Sequence, residues 1–200
     1  MSAILTDLRE SARRPLPGAV QAGLVLFVAA SAESLVRRLY PADSAVLIQR
    51  LGEVYGWLSL AALLLVFPAR RLRLMPYRRA LGLAGFAYAL LHTAYTFGHT
   101  LAGRLDNLPF LSPVMQGGIV LGGVSLALLV PLALTSTNFA IRRLGRHWRT
   151  LHRLGPPATL LAALHGAWIG VHFGLWPLAW TSAVLLALSA ALYLTRRSSR

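Results

Sequence analysis

The chain has no cysteine and no lysine, and only six of its 200 residues are acidic. Without cysteine there is no disulfide, no iron–sulfur cluster, no thiolate metal site and no CxxCH attachment of a c-type haem, so any haem is held non-covalently. The scarcity of acid leaves a net charge of +14 on a chain whose twenty basic residues are all arginine. A nucleic-acid binder would spread such charge along one face. Here the arginines cluster at the ends of apolar runs, where they report topology, and no nucleic-acid partner is expected. Charged residues make up 13% and hydrophobic residues 56%, outside the range of a soluble domain of this size. The chain reads as an integral membrane protein surrounded by lipid.

A membrane-crossing helix needs about 20 mostly apolar residues, and six stretches come close: residues 18–36, 46–67, 79–101, 115–135, 151–172 and 175–194. The expected fold is all-α, a six-transmembrane-helix bundle forming one domain over residues 1–200, with no soluble nucleotide-binding module. Arg50 and Glu53 interrupt the second stretch, so five spans with an embedded surface helix is the competing count. The first run is too long for a signal-peptide core and lacks a small-residue cleavage site, which makes it a retained helix. Sixteen of the twenty arginines precede span one, join spans two and three or four and five, or follow span six; Arg37, Arg38 and Arg104 lie on the other side. The positive-inside rule then puts both termini in the cytoplasm of an inner-membrane protein, with residues 1–15 as a cytoplasmic segment. Trp168, Trp176 and Trp180 fall where an outer aromatic belt would lie, and Trp148 where an inner one would. No internal repeat at a solenoid period is evident. The stretch GGIVLGG (residues 117–123) sits inside an apolar helix, where Gly118 and Gly122 form a small-xxx-small pattern suited to close helix packing rather than to a phosphate cradle.

Six histidines are present, and an ionisable side chain within a span is costly and usually faces the bundle interior. His92 lies thirteen residues after Arg79 in span three, and His165 thirteen after His152 in span five. At 1.5 Å per residue both stand roughly 20 Å from the inner rim. Their spans run in the same direction, so the two imidazoles match in height, as two axial ligands of one haem iron would. Hydrogen bonding across a helix interface is the alternative. His99 and His172 follow seven residues and about 10.5 Å later, too near for a second upright haem, so the two pairs are alternatives; the deeper one is preferred because at the outer rim solvent, a haem propionate or a partner protein is within reach. A haem at the level of His152 would need a ligand where Arg78 and Arg79 stand, and a guanidinium cannot ligate iron. That level, with Arg149 and Arg153 nearby, suits an anionic cofactor or a lipid headgroup. Pro156 and Pro157 either break the helix after His152 and re-phase it, or start span five beyond it. Arg50 is placed to neutralise a haem propionate or to pair with Glu53 at i,i+3. His147 reads as an interface residue.

The stretches RRALGLAGFAYALLH (78–92) and LTSTNFAIRRLGRHWRTLHRL (134–154), followed by His165 and with VFPAR at 66–70, resemble the ferric-reductase-like transmembrane family. The nearest branch comprises the haem-binding membrane subunits of a bacterial envelope methionine sulfoxide reductase system. The likeness covers about residues 46–194. It implies a b-type haem, a bound FMN, and electron flow from a cytoplasmic flavin reductase or the quinone pool to a periplasmic molybdenum-containing reductase. The family's histidines fall on His92, His152 and His165, with His92 and His165 as the haem pair and His152 as the candidate ligand of a second haem. GPP stands where the family carries an apolar-aromatic stretch, and His99 and His172 are additional to its pattern. The resulting expectation is an electron-transfer subunit rather than a complete enzyme. A stand-alone ferric or quinone reductase and a cofactor-free scaffold or carrier are the competing readings.

Overall fold

Polar caps and prolines mark where the helices begin. In the computed structural model, which describes residues 16–66, 68–70 and 72–197, all regular structure among the described residues is helical. The long helices are α1 (Gly18–Leu39), α2 (Ala45–Val66), α3 (Arg78–Thr100) and α4 (Pro113–Leu134). Two short ones follow, α5 (Asn138–Leu144) and α6 (Arg146–Leu151), before the final hairpin of α7 (Gly155–His172) and α8 (Trp176–Arg197). The Ser44 hydroxyl accepts from Leu47 N at the start of α2, Ser112 caps α4 ahead of Pro113, and Thr137 caps α5; each satisfies a backbone donor that the first turn leaves unpaired. Gly145 separates α5 from α6 at φ 51° and ψ −120°, a region open essentially to glycine alone.

Pro156 and Pro157 lie in the first turn of α7, where their missing N–H groups have no helical partner to lose. His152 stands before it on a separate 3-10 turn, His152–Leu154. The expected start at residue 151 falls inside a continuous helical run, Arg146–His172, that tightens to 3-10 geometry at His152–Leu154. The segment 1–15, with Arg9, Arg13 and Arg14, and also Phe67, Arg71 and Arg200, lie outside the described residues.

Among the described residues, four stretches are long and apolar enough to cross a membrane: Gly18–Leu39, Met75–Thr100, Pro113–Leu134 and Arg146–His172. Helix α2 has 22 residues but carries Gln49, Arg50 and Glu53 in its first half. The chain is therefore a multi-pass, all-helical membrane protein. Large apolar side chains such as Phe27 and Leu26 on α1 and Val120 on α4 are exposed, as expected where lipid is the solvent.

Lipid tails are as apolar as leucine, so the interior is organised by close packing of small residues and by interhelical hydrogen bonds. Helix α2 is central. It packs antiparallel to α3 around Tyr55, Ala62, Ala84 and Tyr88, and meets α4 and α7 through Leu63, Leu129, Leu132 and Ala158. Ala158 and Ala163 of α7 are fully buried, and Gly166 and Gly170 bring α8 close to α7. Helix α1 has a single buried residue, Val36. Polar contacts hold it instead: Tyr55 OH donates to Glu33 at 2.5 Å and Tyr88 OH donates to Val25 O at 2.7 Å, while Arg37, on α1 itself, pairs with the same carboxylate at 2.6 Å.

Candidate functional site

Two antiparallel hairpins, α2 with α3 and α4 with α7, each present one histidine to the middle of the bundle. Helices α3 and α7 make little direct contact, since α3 packs on α2 and α7 on α4 and α8. The imidazoles bridge the gap: the ring centroids of His92 and His165 are 5.9 Å apart and the ring planes are inclined by 70°. Depth matching along parallel helices has brought these two side chains together.

Both are held in the same way. His92 Nδ1 lies 2.8 Å from Gly52 O and His165 Nδ1 lies 2.7 Å from Gly118 O. A carbonyl only accepts, so each Nδ1 carries the proton and each Nε2 keeps its lone pair. Neither Nε2 has a hydrogen-bond partner among the described residues. One turn further along α2 and α4, Gly56 and Gly122 face the rings. A Cβ on Gly56 would stand 3.0 Å from His92 Nδ1, and one on Gly122 would stand 3.2 Å from His165 Cε1. A second turn on, Ser59 Oγ donates to Gly85 O and Ser125 Oγ to Ala158 O, both at 2.8 Å.

These contacts reveal a duplication. GEVYGWLS (52–59) and GIVLGGVS (118–125) share the pattern Gly-x3-Gly-x2-Ser, while GFAYALLH (85–92) and ATLLAALH (158–165) share a small residue seven positions before the histidine. The helix pairs repeat with different offsets, 66 positions for the glycine helix (52 to 118, 56 to 122, 59 to 125) and 73 for the histidine helix (85 to 158, 92 to 165). Gly118 and Gly122 were expected to serve close helix packing. Gly118 does pack against Ile169, but its carbonyl and Gly122 also seat His165. Gly52, Gly56, Ser59 and Ser125 escaped the sequence reading. A search for a motif spaced relative to each histidine, instead of at one period, would have found them.

The pair fits two axial ligands of one iron. Two metal–nitrogen bonds of about 2.0 Å and two imidazole half-widths of about 1.1 Å would place the ring centroids about 6 Å apart. Both free nitrogens are the neutral, ligating form, and both are fixed by the hydrogen bond on the opposite side of the ring.

His152 is held otherwise. Thr135 Oγ1 lies 2.7 Å from Pro131 O and 3.1 Å from His152 Nε2. The hydroxyl proton goes to the carbonyl, so Nε2 donates to Thr135 and is engaged. Trp148 stacks on the ring at 4.1 Å between centroids and donates Nε1–H to Thr135 O. The Arg78 guanidinium lies within electrostatic reach of His152. Arg79 reaches across to Asn138 Oδ1 at 2.7 Å, and Arg78, Arg79, Arg149 and Arg153 are all exposed on one rim. Arg50 pairs with Glu53 at 2.6 Å, the i,i+3 contact expected from the sequence, and its buried Nε has no partner among the described residues. His99, His147 and His172 are exposed.

The family described as "Ferric reductase like transmembrane component" matches residues 55–163. That range holds His92, Gly122 and His152 and stops two residues before His165. The protein-methionine-sulfoxide reductase heme-binding subunit MsrQ of Brucella ovis is 38% identical over 161 residues, covering 78% of this chain and 69% of the relative. The proteins of the same name from Brucella canis and Brucella suis match to the same extent. No solved structure matches.

Proposed function

Because the chain belongs to the ferric-reductase-like transmembrane family, we propose that it is a haem b electron-transfer subunit of a bacterial inner membrane, serving a periplasmic reductase of oxidised methionine. The observation that carries this reading is the imidazole pair at 5.9 Å with both Nδ1 atoms anchored on backbone carbonyls. Lone packing histidines have no reason to share one tautomer, one seat and one height on two separate hairpins.

When bound, haem supplies a one-electron carrier that alternates between ferric and ferrous iron. His92 and His165 would hold it from opposite hairpins. The helices around them exclude water, and the carbonyls of Gly52 and Gly118 select the tautomer that leaves Nε2 as the ligating nitrogen. His99 and His172 recur seven residues later, but by antiparallel register the positions opposite them are Ala45 and Gln49 on α2, Leu111 just before α4 and Met115 in its first turn. No pair of glycines seats a ring there. His152, engaged through Nε2, is likewise not poised as a ligand, which points to a single haem.

Six spans with both termini in the cytoplasm follow from the arginine distribution. His92 then stands about 20 Å along α3 from the arginine-rich rim, a distance that favours a membrane-soluble quinol as donor over a soluble flavin reductase at that rim. Arg78, Arg79, Arg149 and Arg153 suit the phosphate of FMN or of a lipid headgroup. Nothing in their arrangement selects an isoalloxazine ring.

The test is haem per polypeptide, by pyridine haemochrome spectrum, on detergent-purified chain from haem-replete cells. One haem is expected, lost on His92→Ala or His165→Ala and kept on His152→Ala. A colourless preparation, or haem that survives replacement of both His92 and His165, overturns the reading.

A further inference from the structure

We propose that the duplicated Gly-x3-Gly-x2-Ser helices do more than make room: Gly56 and Gly122 are positioning residues that set the plane of each imidazole and, through it, the electronic state of the iron. The proposal rests on the haem reading above. Each ring is confined from two directions. The Nδ1–H is tied to Gly52 O or Gly118 O, at 2.8 and 2.7 Å, which fixes which edge faces the glycine helix. The next glycine lies so near that an added methyl would press on Nδ1 and Cε1, at 3.0 and 3.2 Å for His92 and at 3.2 Å to both atoms for His165. Only a residue without a side chain leaves the ring in that plane. Ser59 and Ser125 lock the register of each hairpin one turn beyond, through hydrogen bonds to Gly85 O and Ala158 O.

The seats sit on different hairpins, and the ring planes they hold are inclined by 70°. Nearly perpendicular axial imidazoles leave the two iron d orbitals that overlap them close in energy. Coplanar ones split those orbitals. The ferric, low-spin state is therefore strongly anisotropic in the first case, with one isolated low-field resonance, and rhombic with three resolved resonances in the second. A second consequence concerns redox balance. A ligand that donates Nδ1–H to a carbonyl is more basic and favours ferric iron. Displacing either ring weakens that hydrogen bond and raises the midpoint potential.

The experiment is low-temperature electron paramagnetic resonance and a visible redox titration on the haem-loaded full chain. The native protein, Gly56→Ala and Gly122→Ala are compared with Gly123→Ala, whose added Cβ meets nothing within 4 Å. The expected result is an isolated low-field resonance in the native protein and in Gly123→Ala. In Gly56→Ala and Gly122→Ala that resonance shifts toward the rhombic pattern and the midpoint potential rises. A rhombic spectrum in the native protein overturns the proposal by itself, even if the glycine variants fail to fold. Glycine variants that keep both the native resonance and the native potential overturn it as well. Failure of the underlying haem reading is read separately, as a haem content unchanged by His92→Ala and His165→Ala.

Discussion

Replacing Gly170 by alanine should destabilise the helix that carries His165, and the crossing of α7 with α8 sets the size of the effect. A Cβ at this position would stand 2.7 Å from the backbone nitrogen of Ala179, 3.1 Å from its Cα and 3.2 Å from its Cβ. The nearest two of these atoms are backbone, so no rotamer change relieves the contact, and α8 has to withdraw by several tenths of an ångström along its length. Overpacking of this kind costs about 1–3 kcal/mol. Alanine in place of glycine returns about 0.5–1 kcal/mol through helix propensity. The net loss, about 1 kcal/mol at the middle of these ranges and about 2.5 kcal/mol at most, lowers the folded-to-unfolded ratio roughly 5-fold at the middle value. Two comparators calibrate it. In Gly166→Ala the new methyl meets Ser182 Oγ at 2.9 Å, a buried side-chain atom with no hydrogen-bond partner among the described residues rather than backbone, so the loss is smaller. In Gly82→Ala it meets nothing, and stability is unchanged or slightly raised. Equilibrium unfolding in mixed micelles, followed by far-ultraviolet circular dichroism, orders the three. A Gly170→Ala chain as stable as Gly82→Ala would refute the close α7–α8 approach.

Three further outcomes are expected. Thr135→Val releases His152 Nε2 from its 3.1 Å contact, so carbethoxylation of His152 should quicken while haem per polypeptide stays constant; haem loss in this variant would return His152 to the list of ligands. Tyr55→Phe removes the 2.5 Å hydrogen bond that ties α2 to Glu33 of α1 and should cost about 1 kcal/mol, within the range of interhelical polar contacts in membranes, with faster proteolysis near α1 as the readout. On the loop after α3, Arg104 holds the Asp106 carboxyl below its ordinary range through a hydrogen bond. Because the folded value is depressed, the pairing is complete above the ordinary aspartate range and is lost as pH falls through the lowered value. Arg104→Gln should bring the Asp106 titration, followed by carboxyl carbon NMR, back toward that of a free aspartate.

The positions of the long helices were legible in the sequence to within a few residues, because hydropathy and arginine placement act on each residue separately. His92 and His165 were legible as a pair for a related reason: depth is a count of residues at a fixed rise. The Arg50–Glu53 ion pair could be read from its i,i+3 spacing on one helix. The place of His152 could not, since an ideal helix puts it some 140° away from His165 and the sequence allows either a re-phased helix or a separate segment. The structure answers with a 3-10 turn before Gly155. Nor could the link from Tyr55 to Glu33, 22 positions apart on different helices.

The division follows from the range of the forces involved. The sequence alone determined that this is a helical membrane protein, which rim holds the arginines, and at what height two imidazoles stand, because partition into lipid and charge at an interface are properties of single residues against a slab. Only the tertiary structure decided that those imidazoles meet, that both expose Nε2, and that Gly52, Gly56, Gly118 and Gly122 are their seats. A glycine records the absence of a side chain, and what that absence admits depends on the neighbour brought against it, which for Gly56 is a histidine 36 residues away on an antiparallel helix.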